Sequence, residues 1–114
     1  MKLWIDDVRP APEGYVWCKS VNDAIIQIEA ADWTNFFNHI PDNPTPGYKD
    51  IEIEIIDIDH DAGDYASDGG DYIKLLDWLE ETGRNYPIRI HSANPVGVEN
   101  MRRIIQRNNW KEVF

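Results

Sequence analysis

Short runs of β-branched and aromatic residues, each closed by a polar residue or a turn former, punctuate this chain, and stretches of helical period lie between them. Leu3-Trp4-Ile5 halts at Asp6-Asp7. A loop with two prolines and a glycine, Asp7 to Gly14, leads into a second run, Tyr15-Val16-Trp17-Cys18. The strongest strand pattern is Ile51-Glu52-Ile53-Glu54-Ile55-Ile56-Asp57-Ile58, which runs into Asp59-His60-Asp61. Pro87-Ile88-Arg89-Ile90-His91 reads as a fourth strand and gives way to Ser92-Ala93-Asn94-Pro95, while Trp110 to Phe114 reads as a short last edge strand.

The intervening segments carry helix signals. Ser20-Val21-Asn22-Asp23 has capping-box spacing, with Asp where Glu or Gln is usual, and Val21, Ala24, Ile25 and Ile28 follow on one face. This predicts a helix of about three turns. Tyr72, Ile73, Leu75, Leu76 and Leu79 share another helical face, with Asp68 as its cap and Gly83 as its stop. Asn94 and Pro95 start a third helix, whose buried stripe is Val98, Met101, Ile104 and Ile105. From Asp32 to Asp50 the period fails around the breakers Asp42-Asn43-Pro44-Thr45-Pro46-Gly47. An irregular insertion is expected at about 32–50, with Trp33, Phe36 and Phe37 packing it back as a short helix. The five tryptophans read as core or rim packing.

Strands alternating with helices imply right-handed crossovers. The expected architecture is a three-layer α/β sandwich, flavodoxin-like: a mostly parallel sheet of four or five strands with helices on both faces. With 114 residues there is room for one such domain and no second core. A single cysteine, Cys18, permits no internal disulfide and fits a reducing compartment. No apolar run approaches membrane-spanning length, and the acids at positions 6 and 7 come too early for a signal peptide, so a cytoplasmic location without membrane contact is expected.

In parallel sheets of this kind, ligands bind beyond the carboxyl ends of the strands. Asp6 and Asp7, then Asp59, His60 and Asp61, then His91 and Ser92 all stand at such ends, so they should converge on one rim. Three carboxylates on one rim repel unless a cation sits among them, and a hard divalent cation takes oxygen ligands. Asp6, Asp7 and Asp59 are therefore the expected metal set, with Mg2+ as the first choice and Mn2+ as the alternative. His60 and His91 can move protons near neutral pH or ligate a softer metal, and Asp61 can orient an imidazole. Ser92 and Asn94 lead into a helix amino terminus, where unpaired N–H groups attract a phosphate, and Arg9 adds a positive contact. His39 lies in the irregular region and reads as structural or surface.

Charge narrows the ligand class. Asp and Glu number 21 against 11 Lys and Arg, a formal net charge of −10, which excludes a coat for duplex nucleic acid. A small phosphorylated ligand, or a single nucleic-acid end carried in on a metal, is compatible with it. The run from Asp57 also starts like an EF-hand loop, but Ala62 stands at the sixth position and Asp68 at the twelfth, where that loop needs Gly and Glu.

On these residues the chain resembles the receiver domain of two-component signalling. The likeness rests on Asp6-Asp7 after the first strand, Asp59 in Ile56-Asp57-Ile58-Asp59, and Ser92-Ala93 after the next strand. Three blocks are similar to a divergent subgroup, the cyclic-phosphate processing receiver domains: Leu3-Trp4-Ile5-Asp6-Asp7-Val8-Arg9-Pro10-Ala11-Pro12-Glu13-Gly14, Asp59-His60-Asp61, and His91-Ser92-Ala93-Asn94-Pro95-Val96-Gly97. The resemblance implies Mg2+ on the acids, phosphoacceptor character at Asp59, a phosphoryl contact from Ser92, and action on nucleotide or RNA 2',3'-cyclic phosphates. It leaves two functional readings: a metal-dependent phosphoesterase using Asp59, His60, Asp61 and His91, or a signalling module phosphorylated on Asp59 or acting through a protein partner. Two departures weigh against ordinary receiver switching. The proline-rich segment leaves little room for the usual first helix, and the lysine that ends the fifth receiver strand has no counterpart nearer than Lys111.

Overall fold

A computed structural model describes residues 1–41 and 49–114. Among the described residues the order is β1 (Lys2–Ile5), β2 (Tyr15–Cys18), α1 (Val21–Asn38), β3 (Ile55–Ile58), a 3-10 turn (Gly63–Ser67), α2 (Ile73–Glu81), β4 (Ile88–Ile90) and α3 (Pro95–Arg107). The strands form one all-parallel sheet in the order β2-β1-β3-β4. This is the expected α/β, receiver-like class. No described helix is long and apolar enough to cross a membrane.

The register sorts each strand into two faces. Leu3, Ile5, Cys18, Ile56, Ile58 and Ile88 lie on one face, almost without exposure. They join Ala24 and Ile28 of α1, Leu75, Leu76 and Leu79 of α2, and Met101, Ile104 and Ile105 of α3 in a single core. The crossovers from β2 to β3 and from β3 to β4 step across the sheet in the same direction, so their shared right-handedness puts α1 and α2 on the same side. α2 packs against both α1 and α3. The expectation of helices on both faces is therefore corrected: all three described helices cover one face. The step from β1 to β2 goes the other way, and its proline-rich connection runs back over the opposite face, where the Trp4 indole N–H donates to the Arg9 carbonyl (2.8 Å). Two prolines in eight residues cannot sustain a helix there. Alternation in Lys2-Leu3-Trp4-Ile5 and Ile88-Arg89-Ile90, in place of the continuous apolar runs of doubly covered strands, is the sequence signature of this one-sided core.

Several boundaries differ from the sequence reading. Ile51–Glu54 precedes β3 instead of extending it. The Asn35 side chain of α1 takes both backbone groups of Ile51, accepting from its N–H (2.7 Å) and donating to its C=O (2.8 Å), since β1 starts at Lys2 and offers no strand beside it. α1 runs 18 residues, well past three turns. Its last turns carry Trp33, Phe36 and Phe37, which stay more than half exposed and pack against one another. The breaker cluster Asp42–Gly47 lies outside the described residues. His39 closes α1 at its carboxyl end and pairs at the surface with Asp50 (2.8 Å). Trp110 to Phe114 contributes one parallel bridge, Ile88 to Glu112, in place of a strand. Of the tryptophans, only Trp110 is in the core.

Capping follows the sequence at two of the three expected starts. The Ser20 hydroxyl accepts from the Asp23 N–H (3.0 Å), and the Asn94 carboxamide oxygen accepts from the Gly97 N–H (3.0 Å) with Pro95 in the first turn. Asp68, the expected cap of α2, instead accepts from Ser20 Oγ (2.6 Å) and Asn22 Nδ2 (3.0 Å), tying the 3-10 turn to the start of α1. Gly83, in the left-handed region at φ 69°, ends α2 as expected.

Because Ile56 sits at 0% exposure on a central strand among residues from three helices, Ile56→Ala should lower the unfolding free energy by about 3–4 kcal/mol, checked by urea denaturation.

Candidate functional site

Parallel pairing builds the rim. Ile5 lies beside Ile58 in the register, so Asp6 and Asp59, each one residue further on, leave the sheet side by side. Carboxylate oxygens of Asp6, Asp7 and Asp59 come within 4.8 Å of one another. Asp6 is buried, and Asp7 and Asp59 are half-buried. Gly63 adopts φ 55°, and a Cβ there would overlap the Asp7 carboxylate, so a glycine is required where the loop after β3 closes over Asp7. Three hard oxygen donors on two strand ends could hold a divalent cation.

Asp6 is held from several sides. Its Oδ1 accepts from the backbone N–H groups of Val8 and Arg9, both at 2.9 Å, and its Oδ2 faces His91 Nε2 at 2.9 Å. Burial pushes the Asp6 carboxyl up, but the Arg9 and Val8 N–H groups and the His91 imidazole outweigh it and hold the group below its usual value. A carboxylate has about four acceptor positions, so these three bonds leave room for a cation.

His91 is the hub of this part of the rim. Its Nδ1 faces Asp57 Oδ1 at 2.6 Å, and the Trp4 ring stacks on it with centroids 3.9 Å apart and planes 6° off parallel. Burial pushes the imidazole down; the Asp57 and Asp6 carboxylates outweigh that and hold it above its ordinary value, which favours the imidazolium. With both ring nitrogens on carboxylates, His91 presents no nitrogen to a substrate.

His60 is arranged differently. Its Nδ1 faces Asp61 Oδ1 at 2.8 Å, with the Asn94 carboxamide nitrogen at 3.5 Å from the same atom, while Nε2 has no hydrogen-bond partner among the described residues. The ring packs against the first turn of α3, where a Cβ on Gly97 would overlap it. The backbone on either side is fixed: the Asp59 carboxylate accepts from the His60 N–H (2.7 Å), and the His60 carbonyl accepts from the Tyr72 N–H (3.1 Å). Ser92 Oγ accepts from the Asn94 N–H (3.1 Å), which leaves its own proton to donate. The Arg9 guanidinium reaches the His91 carbonyl at 3.4 Å.

The rim thus holds Asp6, Asp7, Asp59, His60, Asp61, His91, Ser92, Asn94 and Arg9 along the carboxyl ends of β1, β3 and β4. Asp57 was not anticipated: in sequence it reads as one acid of an Ile-rich strand. An acid placed mid-strand at a position the register turns away from the core is the signal that could have found it. Two surface cavities, of about 270 and 420 Å³, lie between the later turns of α1 and residues 84–87 and are not lined by rim residues.

Compared with known proteins, residues 1–107 match the model of a family described as "Cyclic-phosphate processing Receiver domain". No curated protein and no solved structure matches.

Two outcomes follow from this geometry. The folded-state value of His91 is raised, so its contribution to stability is complete below about pH 6.5 and is lost as pH rises through the folded value. The melting-temperature advantage of the unaltered chain over His91→Gln should accordingly be larger at about pH 6 than at about pH 9. Gly97→Ala should expel the His60 ring from the start of α3 and destabilise by about 1–3 kcal/mol, read by His60 ring NMR shifts and thermal melting.

Proposed function

The chain belongs to the cyclic-phosphate processing receiver domain family, and from that premise we propose that it binds and hydrolyses a terminal phosphate ester, in the first instance a nucleotide or RNA 2',3'-cyclic phosphate. One observation carries this reading: a three-carboxylate cluster and a histidine with an available nitrogen, oriented by its own acid, stand on the same rim as a helix amino terminus. A signalling receiver needs the acids but not the His60–Asp61 pair.

Asp6, Asp7 and Asp59 would hold a divalent cation, Mg2+ or Mn2+, which supplies charge neutralisation to the phosphate when bound. The Ser92 hydroxyl, the Val96 N–H in the first turn of α3 and the Arg9 guanidinium hold phosphoryl oxygens and offset the negative field of the surrounding acids. Hydrolysis adds one water across one ribose P–O bond: the water oxygen bonds to phosphorus, the bond to a ribose oxygen breaks, and that oxygen leaves with a proton. His60 Nε2 is the group placed to move the proton, and Asp61 holds the ring through Nδ1. His91 serves the acids and leaves proton transfer to His60. The ligand is a small phosphorylated molecule or a single nucleic-acid end, and a cytoplasmic setting fits the chemistry.

Incubation with 2',3'-cyclic nucleotides and Mn2+ or Mg2+, followed by phosphorus NMR, tests this. The unaltered chain should give the monoester, Asp59→Asn should give none, and His60→Gln should lower kcat by about 10²–10⁴-fold with little change in KM. Absence of both binding and cleavage, together with unchanged metal affinity in Asp59→Ala, overturns it. A labile phosphoryl adduct at Asp59 after treatment with a small phosphodonor, seen by intact mass, would establish the signalling reading instead.

A further inference from the structure

Asp57 has no place in the chemistry above, yet this acid is 1% exposed, in the middle of β3 on the face away from the helices. Burying a carboxylate is costly unless its lone pairs are satisfied. Here Oδ1 is paired with His91 Nδ1 at 2.6 Å, and Oδ2 has only a looser ion pair, with the Arg89 guanidinium at 3.6 Å. Arg89 is half exposed and contributes little geometric constraint. The strong, directional contact goes to His91, whose other nitrogen goes to Asp6.

We propose that Asp57, acting through His91, is a positioning residue for the Asp6 carboxylate, so that metal affinity at the rim is set from the middle of the sheet. This rests on the reading of Asp6 as a metal ligand. The two backbone N–H groups fix Oδ1 of Asp6 but leave the carboxylate free to turn about that anchor. His91 Nε2 fixes Oδ2 and removes that freedom. His91 can do so because its ring cannot turn: Asp57 holds the far nitrogen and Trp4 lies flat against one side. Trp4 in turn is fixed by its indole N–H on the Arg9 carbonyl, in the same loop that supplies the N–H groups to Asp6. Carboxylate, imidazole and ligand carboxylate thus form one chain of two short hydrogen bonds. Outer groups of this kind set the orientation of metal ligands elsewhere.

Electrostatics alone predicts a different result, which makes the inference testable. An imidazolium beside a metal ligand repels a cation, so a role for His91 as a mere charge means that removing it leaves metal binding unchanged or tighter. Positioning means that removing it weakens binding.

Mn2+ affinity of the full chain, measured by isothermal titration calorimetry, separates these outcomes. Asp57→Asn and His91→Gln should each weaken Mn2+ binding by about tenfold or more. The double variant should be no weaker than the weaker single one, because both act through the same contact. Unchanged or tighter binding in His91→Gln, unchanged binding in Asp57→Asn, or fully additive losses overturn the inference. Circular dichroism reports whether each variant folds, and the sign of the His91→Gln effect decides the matter if Asp57→Asn does not. Failure of the metal reading looks different: the unaltered chain binds no Mn2+, or Asp59→Asn binds it as well as the unaltered chain does, and the inference falls with it.

Discussion

Mutual repulsion among Asp6, Asp7 and Asp59 is the constraint around which the rest of this molecule is arranged. Parallel pairing of β1 with β3 forces Asp6 and Asp59 together, and no local rearrangement can separate them without breaking the register of the central strands. The protein offsets the repulsion with what stands nearby. Two backbone N–H groups and the His91 imidazole go to Asp6, and the His60 N–H goes to Asp59. These contacts reduce the conflict without cancelling it, since each acid still presents oxygen to the same small space. A cluster whose repulsion is partly offset, with its oxygens still convergent, is poised to take a cation.

The one-sided core explains how His91 came to be available for this. In a sheet covered by helices on both sides, a mid-strand acid such as Asp57 would be buried among apolar side chains with no partner in reach. Among the described residues the second face carries the proline-rich connection, Trp4, Tyr15, Trp17, Ile55 and polar side chains, so Asp57 shares it with Arg89 and His91. Loss of the usual first helix thus opens the face on which the Asp57–His91–Asp6 chain is built. The same loop that replaces the helix donates to Asp6 from Val8 and Arg9. Fold departure and site construction are one event in the sequence.

How far this was legible depends on the range of each interaction. The strand-end acids, the Asn94-Pro95 helix start and the convergence on one rim follow from local patterns plus the handedness of crossovers, and they were read from the sequence. α1 outruns its apolar period: Trp33, Phe36 and Phe37 break the pattern, yet the helix continues with those rings outward. Nothing local marks an exposed aromatic as compatible with helix. The one-sided core was written in strand alternation but overruled by the general habit of parallel sheets. The division of labour between His60 and His91 could not be read at all, because it depends on which carboxylate each ring nitrogen meets, and Asp57 stands 34 residues from His91 in the chain.

The rigidity of the rim bears on the choice between catalysis and switching. A switching receiver needs a segment with two arrangements of similar energy, one of which a phosphoryl group selects. Among the described residues, several segments around the rim are held by packing and hydrogen bonds. Gly63 and Gly97 leave open the space that a Cβ would fill, and Asp7 and the His60 ring pack into it. The loop between β3 and α2 is tied at both ends, by the Tyr72 N–H to the His60 carbonyl and by Ser20 and Asn22 to Asp68. Trp4 and two carboxylates hold His91. Charged groups fixed in this way need no reorganisation as charge develops on a phosphate, which is the property that lowers a barrier. The same fixation works against a phosphorylation-driven change of surface. Packing and hydrogen bonding around the rim thus hold the charged groups in the arrangement on which the proposed hydrolysis rests.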